Sequence, residues 1–193
     1  MLQANAVKKA LRDTALARRE ALSAAEREAA AATVAARGLP VAVATGAVLS
    51  GYSPIRSEFD PVPLMRHTEG AGATLALPVI VARDQPLLFR QWLNGTVLLK
   101  GQLGILEPDP AAPALDPDIM LVPLAAFDRT GHRIGYGAGH YDRSLAMLRA
   151  RKAVIAIGLA FSVQEVAAVP NDGHDERLDF VLTETETIDL RGA

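Results

Sequence analysis

The sequence predicts a three-layer α/β/α sandwich with a largely parallel sheet, folded as one domain over residues 1–193. Three observations carry that expectation. Six short apolar runs recur, "AVLSGY" (47–52), "TLALPVIV" (74–81), "LLFRQW" (87–92), "IMLVPL" (119–124), "AVIAIGLA" (153–160) and "DFVLTE" (179–184), and several lack polar alternation. Runs of that kind suit strands covered on both faces, as in buried parallel sheets. Helix-compatible stretches lie between several of them, which is the α/β order. The length of 193 residues suffices for one well-buried core and is short for two.

The elements follow in chain order. Val7, Leu11, Ala15 and Leu22 recur at helical spacing among good helix formers, which predicts a helix ending near Leu22. "SAAE" (Ser23 to Glu26) is a capping-box pattern that starts a second helix, and "RGLP" (Arg37 to Pro40) stops it. Residues 59–73 can hold a helix between the first two apolar runs. Residues 139–151, "GHYDRSLAMLRAR", form another, with Leu145 and Leu148 on one side. The Pro-rich segment 107–118 is a loop joining two parts of one domain.

Composition narrows the function. Half the residues are hydrophobic and 22% are charged, an ordinary globular mixture with a net charge of −2. No overall field attracts nucleic acid or an anionic membrane, so any anion site must be local. The absence of cysteine excludes thiolate nucleophiles and Cys-ligated metals. The most apolar run, 153–161, is about half the ~20 residues a membrane span needs, and Lys8, Lys9, Arg12 and Asp13 interrupt any N-terminal signal-like block. A cytoplasmic protein, monomeric by default, is the expectation.

The chemistry concentrates in "HRIGYGAGHYDR" (132–143). Gly135, Gly137 and Gly139 alternate between the "IMLVPL" run and a helix, and alternating glycines let a ligand approach the backbone without a Cβ in the way. Helix N-termini at the carboxyl ends of strands present amides to phosphates. The dinucleotide fingerprint fails because position 140 is His140, and no P-loop is present. Arg133 and Arg143 flank the loop. Asp142, in the first helical turn, could cap the helix, or hold Mg²⁺ beside bound phosphates. In "VPNDGHDERLD" (169–179), Asp175 is a candidate second metal ligand, although Asn-Asp-Gly is also an ordinary turn sequence. Lys8, Arg12 and Arg19, four and seven apart, fall on one helical face that could reach a polyphosphate.

These stretches together resemble the 5-formyltetrahydrofolate cyclo-ligase family, also called methenyltetrahydrofolate synthetases. The likeness runs from "KKALRDTALARREALSAAERE" through "GYSPIRSEFDP", "GILEP" and "LVPLAAFDRTGHRIGYGAGHYDR" to "IGLAFSVQ", "VPNDGHD" and "LDFVLTET". The family pattern R-[LI]-G-x-G-x-G-x-Y-D is met by Arg133, Ile134, Gly135, Gly137, Gly139, Tyr141 and Asp142. The resemblance implies an architecture shared with phosphosugar isomerases and CoA transferases. It also implies an ATP- and Mg²⁺-dependent conversion of 5-formyltetrahydrofolate to 5,10-methenyltetrahydrofolate with release of ADP and phosphate.

Carried over by position, Lys8, Arg12, Arg133, Gly135, Gly137, Gly139 and Tyr141 match the ATP contacts. Arg133, Tyr141 and Asp142 match the catalytic set, and Asp142 with Asp175 the magnesium ligands. Ser53, Glu58, Tyr136, Gly137, Ala138, Gly139 and His140 match the folate-lining positions, a carboxylate at Glu58 suiting the adjacent N–H donors of a pterin. Many relatives carry a tyrosine where this chain has His140. Two alternatives stay open: a phosphosugar isomerase-like or CoA-transferase-like enzyme of the same architecture using Glu58 or Glu107 as a proton-transferring or nucleophilic carboxylate without ATP, and a module that binds both ligands without turnover.

Overall fold

The computed structural model describes residues 2–101, 104–171 and 175–192, with side chains from residue 5 onward. Two helices open the chain, α1 (Leu2–Glu20) and α2 (Ala24–Arg37). The break between them is chemical. The Ser23 hydroxyl accepts from the Glu26 amide at 3.2 Å while the Glu26 carboxylate accepts from the Ser23 amide at 2.7 Å, satisfying two amides that have no partner in the first turn. Gly38, at φ 75°, ends α2 with its amide on the Val34 carbonyl. α1 stops at Glu20, two residues before the expected Leu22.

The next elements are β1 (Val48–Ser50), α3 (Val62–Gly70), β2 (Thr74–Val79), β3 (Leu88–Gln91), β4 (Leu99–Lys100) and β5 (Leu106–Glu107). Then come β6 (Ile119–Pro123), β7 (Ala126–Phe127), β8 (Arg133–Ile134), α4 (His140–Arg149) and β9 (Ile155–Leu159). A 3-10 helix (Ser162–Gln164), β10 (Phe180–Leu182) and β11 (Thr187–Asp189) complete the order. The main sheet runs β11-β10-β9-β6-β1-β2-β3. Its five inner strands pair in parallel, and β3 and β11 close the edges antiparallel. The mixed α/β architecture with a mostly parallel sheet is therefore as the apolar runs predict.

Burial on both faces explains the lack of alternation. In β6, Ile119 and Leu121 join the core under α2 and α3 with Val34, Leu64 and Met65. Met120 and Val122 point the other way, to the core under α4 with Leu145 and Leu148. Both faces are dry, so neither parity can be polar. A third cluster, Ala15, Ala126, Ile134 and Val169, fastens α1 to the β7/β8 hairpin.

Between the "IMLVPL" strand and the glycine loop stands the β7/β8 hairpin, which no apolar run announces. An Asp128 carboxylate builds the turn of the hairpin. Its Oδ1 accepts from the amides of Thr130 and His132, and its Oδ2 from the Val169 amide at 2.7 Å. Burial pushes this carboxyl up, but those donors outweigh it and hold it below the usual range.

Candidate active site

A cavity of about 780 Å³ opens at the carboxyl ends of β1, β2 and β6. Its floor carries Pro78 and Pro123 from strand ends, and its walls come from α1, the 52–58 loop, the glycine loop and the start of α4. Every residue carried over from the family pattern lines it: Lys8, Arg12, Ser53, Glu58, Arg133, Gly135, Tyr136, Gly137, Ala138, Gly139, His140, Tyr141, Asp142 and Asp175. Residues 167 positions apart, Lys8 and Asp175, meet there at 2.7 Å.

The glycine loop owes its shape to backbone freedom. Gly137 sits at φ 95° and Gly139 at φ 66°, conformations that side chains disfavour. Gly139 is also the N-cap of α4 and supplies no side-chain bond. The first-turn amides therefore stay available to a ligand. From α1, the Arg12 guanidinium donates to the Gly135 carbonyl at 2.7 Å and pins the loop from one side.

Asp142 does not cap its helix. Its Oδ1 accepts from Arg133 at 2.7 Å and from the Glu176 amide at 3.1 Å, while Oδ2 takes no hydrogen bond from the described residues. Arg133, 8% exposed, also donates to the Glu176 carbonyl at 2.5 Å. The Asn-Asp-Gly turn expected at 171–173 falls partly on residues 172–174, which lie outside the described residues. No group of three or more His, Asp or Glu able to hold a metal unaided exists among the described residues. Asp142 and Asp175 nevertheless line the same cavity, each beside a cation, Arg133 and Lys8 respectively; oxygen ligands of that kind are the type Mg²⁺ takes, with waters completing its shell.

The same cavity is lined by Glu58 and two tyrosines, Tyr136 and Tyr141. Glu58 is 9% exposed, and its Oε2 accepts from the Ile55 amide at 2.9 Å. Burial pushes its carboxyl up; the Ile55 amide, the Arg19 charge and the Tyr136 hydroxyl pull it partway back. Burial also drives the Tyr141 phenol far above its ordinary range, the nearby Glu58 charge adding to the effect, so Tyr141 stays a protonated donor. Ser53 donates to the Leu106 carbonyl at 2.6 Å, tying the 52–58 loop to β5. His140 Nδ1 lies 3.0 Å from the Gln85 carbonyl; because a carbonyl only accepts, Nδ1 carries the proton and the ring is held toward the β2–β3 connection.

The basic stripe separates. Lys8 and Arg12 reach the cavity, but Arg19 is 1% exposed and donates to Ser57 at 3.1 Å and to the Tyr136 hydroxyl at 2.8 Å. Arg19 is thus corrected from a polyphosphate-facing position to one beside Ser57 and Tyr136. About 16 Å of helix separates it from Lys8, so a shared face does not mean a shared ligand. Sequence reasoning also missed Arg56, which lines the cavity at φ 54°. The quoted "IRSE" stretch contains it, and no spacing rule marks that conformation.

Comparison with known proteins adds a second kind of observation. The profile described as the 5-formyltetrahydrofolate cyclo-ligase family matches residues 4–184. A 5-formyltetrahydrofolate cyclo-ligase of Mycolicibacterium smegmatis is 34% identical over 149 residues, 72% of this chain and 74% of the relative. One from Haemophilus influenzae is 38% identical over 100 residues, 50% of this chain; the match spans only 53% of that relative. The solved 5,10-methenyltetrahydrofolate synthetase of Aquifex aeolicus superposes with a TM-score of 0.78 at 30% identity, covering 96% of this chain and 93% of the other. No helix among the described residues is long and apolar enough to cross a membrane.

Proposed function

The chain belongs to the 5-formyltetrahydrofolate cyclo-ligase family, and on that premise we propose that it closes 5-formyltetrahydrofolate to 5,10-methenyltetrahydrofolate with ATP, releasing ADP and phosphate. The observation that carries this reading is one cavity lined both by cations and a glycine loop and by a buried carboxylate. An amide-like formyl oxygen is a poor leaving group until phosphorylated, so both ligands must meet within bonding reach. Catalysis is then mainly positioning and charge neutralisation.

In this reading Lys8 and Arg12 bind the phosphate chain beside the amides of Gly135, Gly137 and Gly139. Arg133 meets the transferring phosphoryl group, and its bonds to Asp142 and Glu176 fix it in advance. Asp142 and Asp175 are the carboxylates that would hold Mg²⁺; when bound, the ion neutralises phosphate charge. Glu58 accepts from adjacent N–H groups of the pterin. Ser53, Tyr136, Gly137, Ala138, Gly139 and His140 line the folate path, and the protonated Tyr141 donates toward oxygen between the two ligands.

The test mixes the purified chain with 5-formyltetrahydrofolate, ATP and Mg²⁺, following absorbance of the conjugated methenyl product and ADP together. Product in step with ADP, only with all three present, is expected. Asp142→Asn, which keeps an acceptor for Arg133, should remove turnover without unfolding. Wild-type turnover in that variant at saturating Mg²⁺ would overturn the metal assignment, and no product from the unaltered chain would overturn the function.

A further inference from the structure

We infer that Arg19 is a positioning residue that acts through Glu58 and Tyr136, clamping the two loops that carry them; this rests on the reading of Glu58 as the folate-contacting carboxylate. The starting observation is a buried charge with incomplete partners. Arg19 is 1% exposed, its Nη1 is buried with no hydrogen-bond partner, and among the described residues no carboxylate lies within ion-pair distance of it. A guanidinium in that state is costly, and a hydrocarbon side chain would fill the same space more cheaply.

What the charge does touch is informative. Nε donates to the hydroxyl of Ser57, the chain neighbour of Glu58, at 3.1 Å. Nη2 donates to the Tyr136 hydroxyl at 2.8 Å. Tyr136 stands between Gly135 and Gly137, is 41% exposed, and would swing freely on that backbone without a fixed partner. Because its oxygen accepts from Arg19, its own proton is left to point elsewhere, and the Glu58 carboxylate is near enough to feel it.

Arg19 and Ser57 thus stand behind a wall whose cavity side is Glu58 and Tyr136. A planar fork with several donors can hold two loops at set angles, which a lysine point charge does not. The positive charge also favours the ionised, acceptor form of Glu58, the form that adjacent N–H donors need.

Calorimetric titration of the full chain with 5-formyltetrahydrofolate, and separately with a non-hydrolysable ATP analogue, tests this. Arg19→Gln should weaken folate binding about tenfold or more, as expected for loss of charged hydrogen bonds. Analogue binding should stay within about twofold. In a Glu58→Gln background the same change should cost measurably less than it does in the wild-type chain, because one of the two groups it acts through is already neutral while the Tyr136 contact is still lost. Arg19→Lys, which keeps the charge, should recover part of the loss, and it carries the same comparison if Arg19→Gln does not fold.

Wild-type folate binding in the Arg19 variants would overturn the inference. So would a full, additive loss on top of Glu58→Gln, or an equal loss of the ATP analogue, either of which marks a merely structural role. Failure of the underlying reading is distinguishable: there the unaltered chain does not bind 5-formyltetrahydrofolate, or Glu58→Gln alone costs nothing, and the inference falls with it.

Discussion

Glu58 shows how a single residue can serve binding at the expense of stability. Its carboxyl is raised chiefly by burial, so the folded chain holds that proton more tightly than the unfolded chain does. The contribution to stability is therefore present below the ordinary carboxylate value of about 4.3 and is lost as pH rises from there through the raised folded value. Glu58→Gln should remove that slope. Urea unfolding at several pH values should find the variant at least as stable as wild type near neutrality, with weaker folate binding. A variant clearly less stable at neutral pH, with its slope unchanged, would contradict the burial argument. Glu58 was legible as a candidate because it sits in "GYSPIRSEFDP"; its near-complete burial was not, since a lone charged residue opening a helix reads as surface.

At the scale of elements, caps were legible and partners were not. Ser23 and Glu26 satisfy each other's neighbouring amides within four residues, so their pattern is visible in the chain and present in the fold. Ser23→Ala should lower stability by about 1 kcal/mol, measured by urea unfolding, and leave both substrate requirements unchanged. A change in either requirement would place the α1–α2 junction closer to the chemistry than it stands. The β7/β8 hairpin was hidden for the opposite reason. Two-residue strands carry no period to detect, and these are defined by an Asp128 carboxylate reaching Val169, forty-one positions away. Of the edge strands, β3 lies in an apolar run and only its direction was hidden, since that is set by which neighbour it meets, while β11 lies outside every such run.

For the molecule as a whole, the core under α4 is tightly filled, as Gly158 in β9 shows. A Cβ there would come 2.7 Å from Leu178 Cδ1 and 2.8 Å from Leu124 Cδ2, both side chains being buried. Gly158→Ala should destabilise the chain by about 1–3 kcal/mol through overpacking, read from the unfolding midpoint, with nucleotide and folate requirements unaltered. An unchanged midpoint would mean that this core yields more easily than its packing indicates. The resemblance to the family pointed to most of the polar residues that share the cavity, while the sequence by itself determined the α/β class, the main strand runs and the capped second helix. These follow from periodicity, backbone freedom and residue chemistry, all local properties of the chain. Only the tertiary structure decided which of those residues face one another: Lys8 with Asp175, Arg133 with Asp142, and Arg19 behind Tyr136 and Ser57. Helical spacing places Lys8, Arg12 and Arg19 on one face, but it says nothing of what packs against each level of that face. That choice belongs to the sheet order and the hairpin, which bring distant loops to opposite ends of α1.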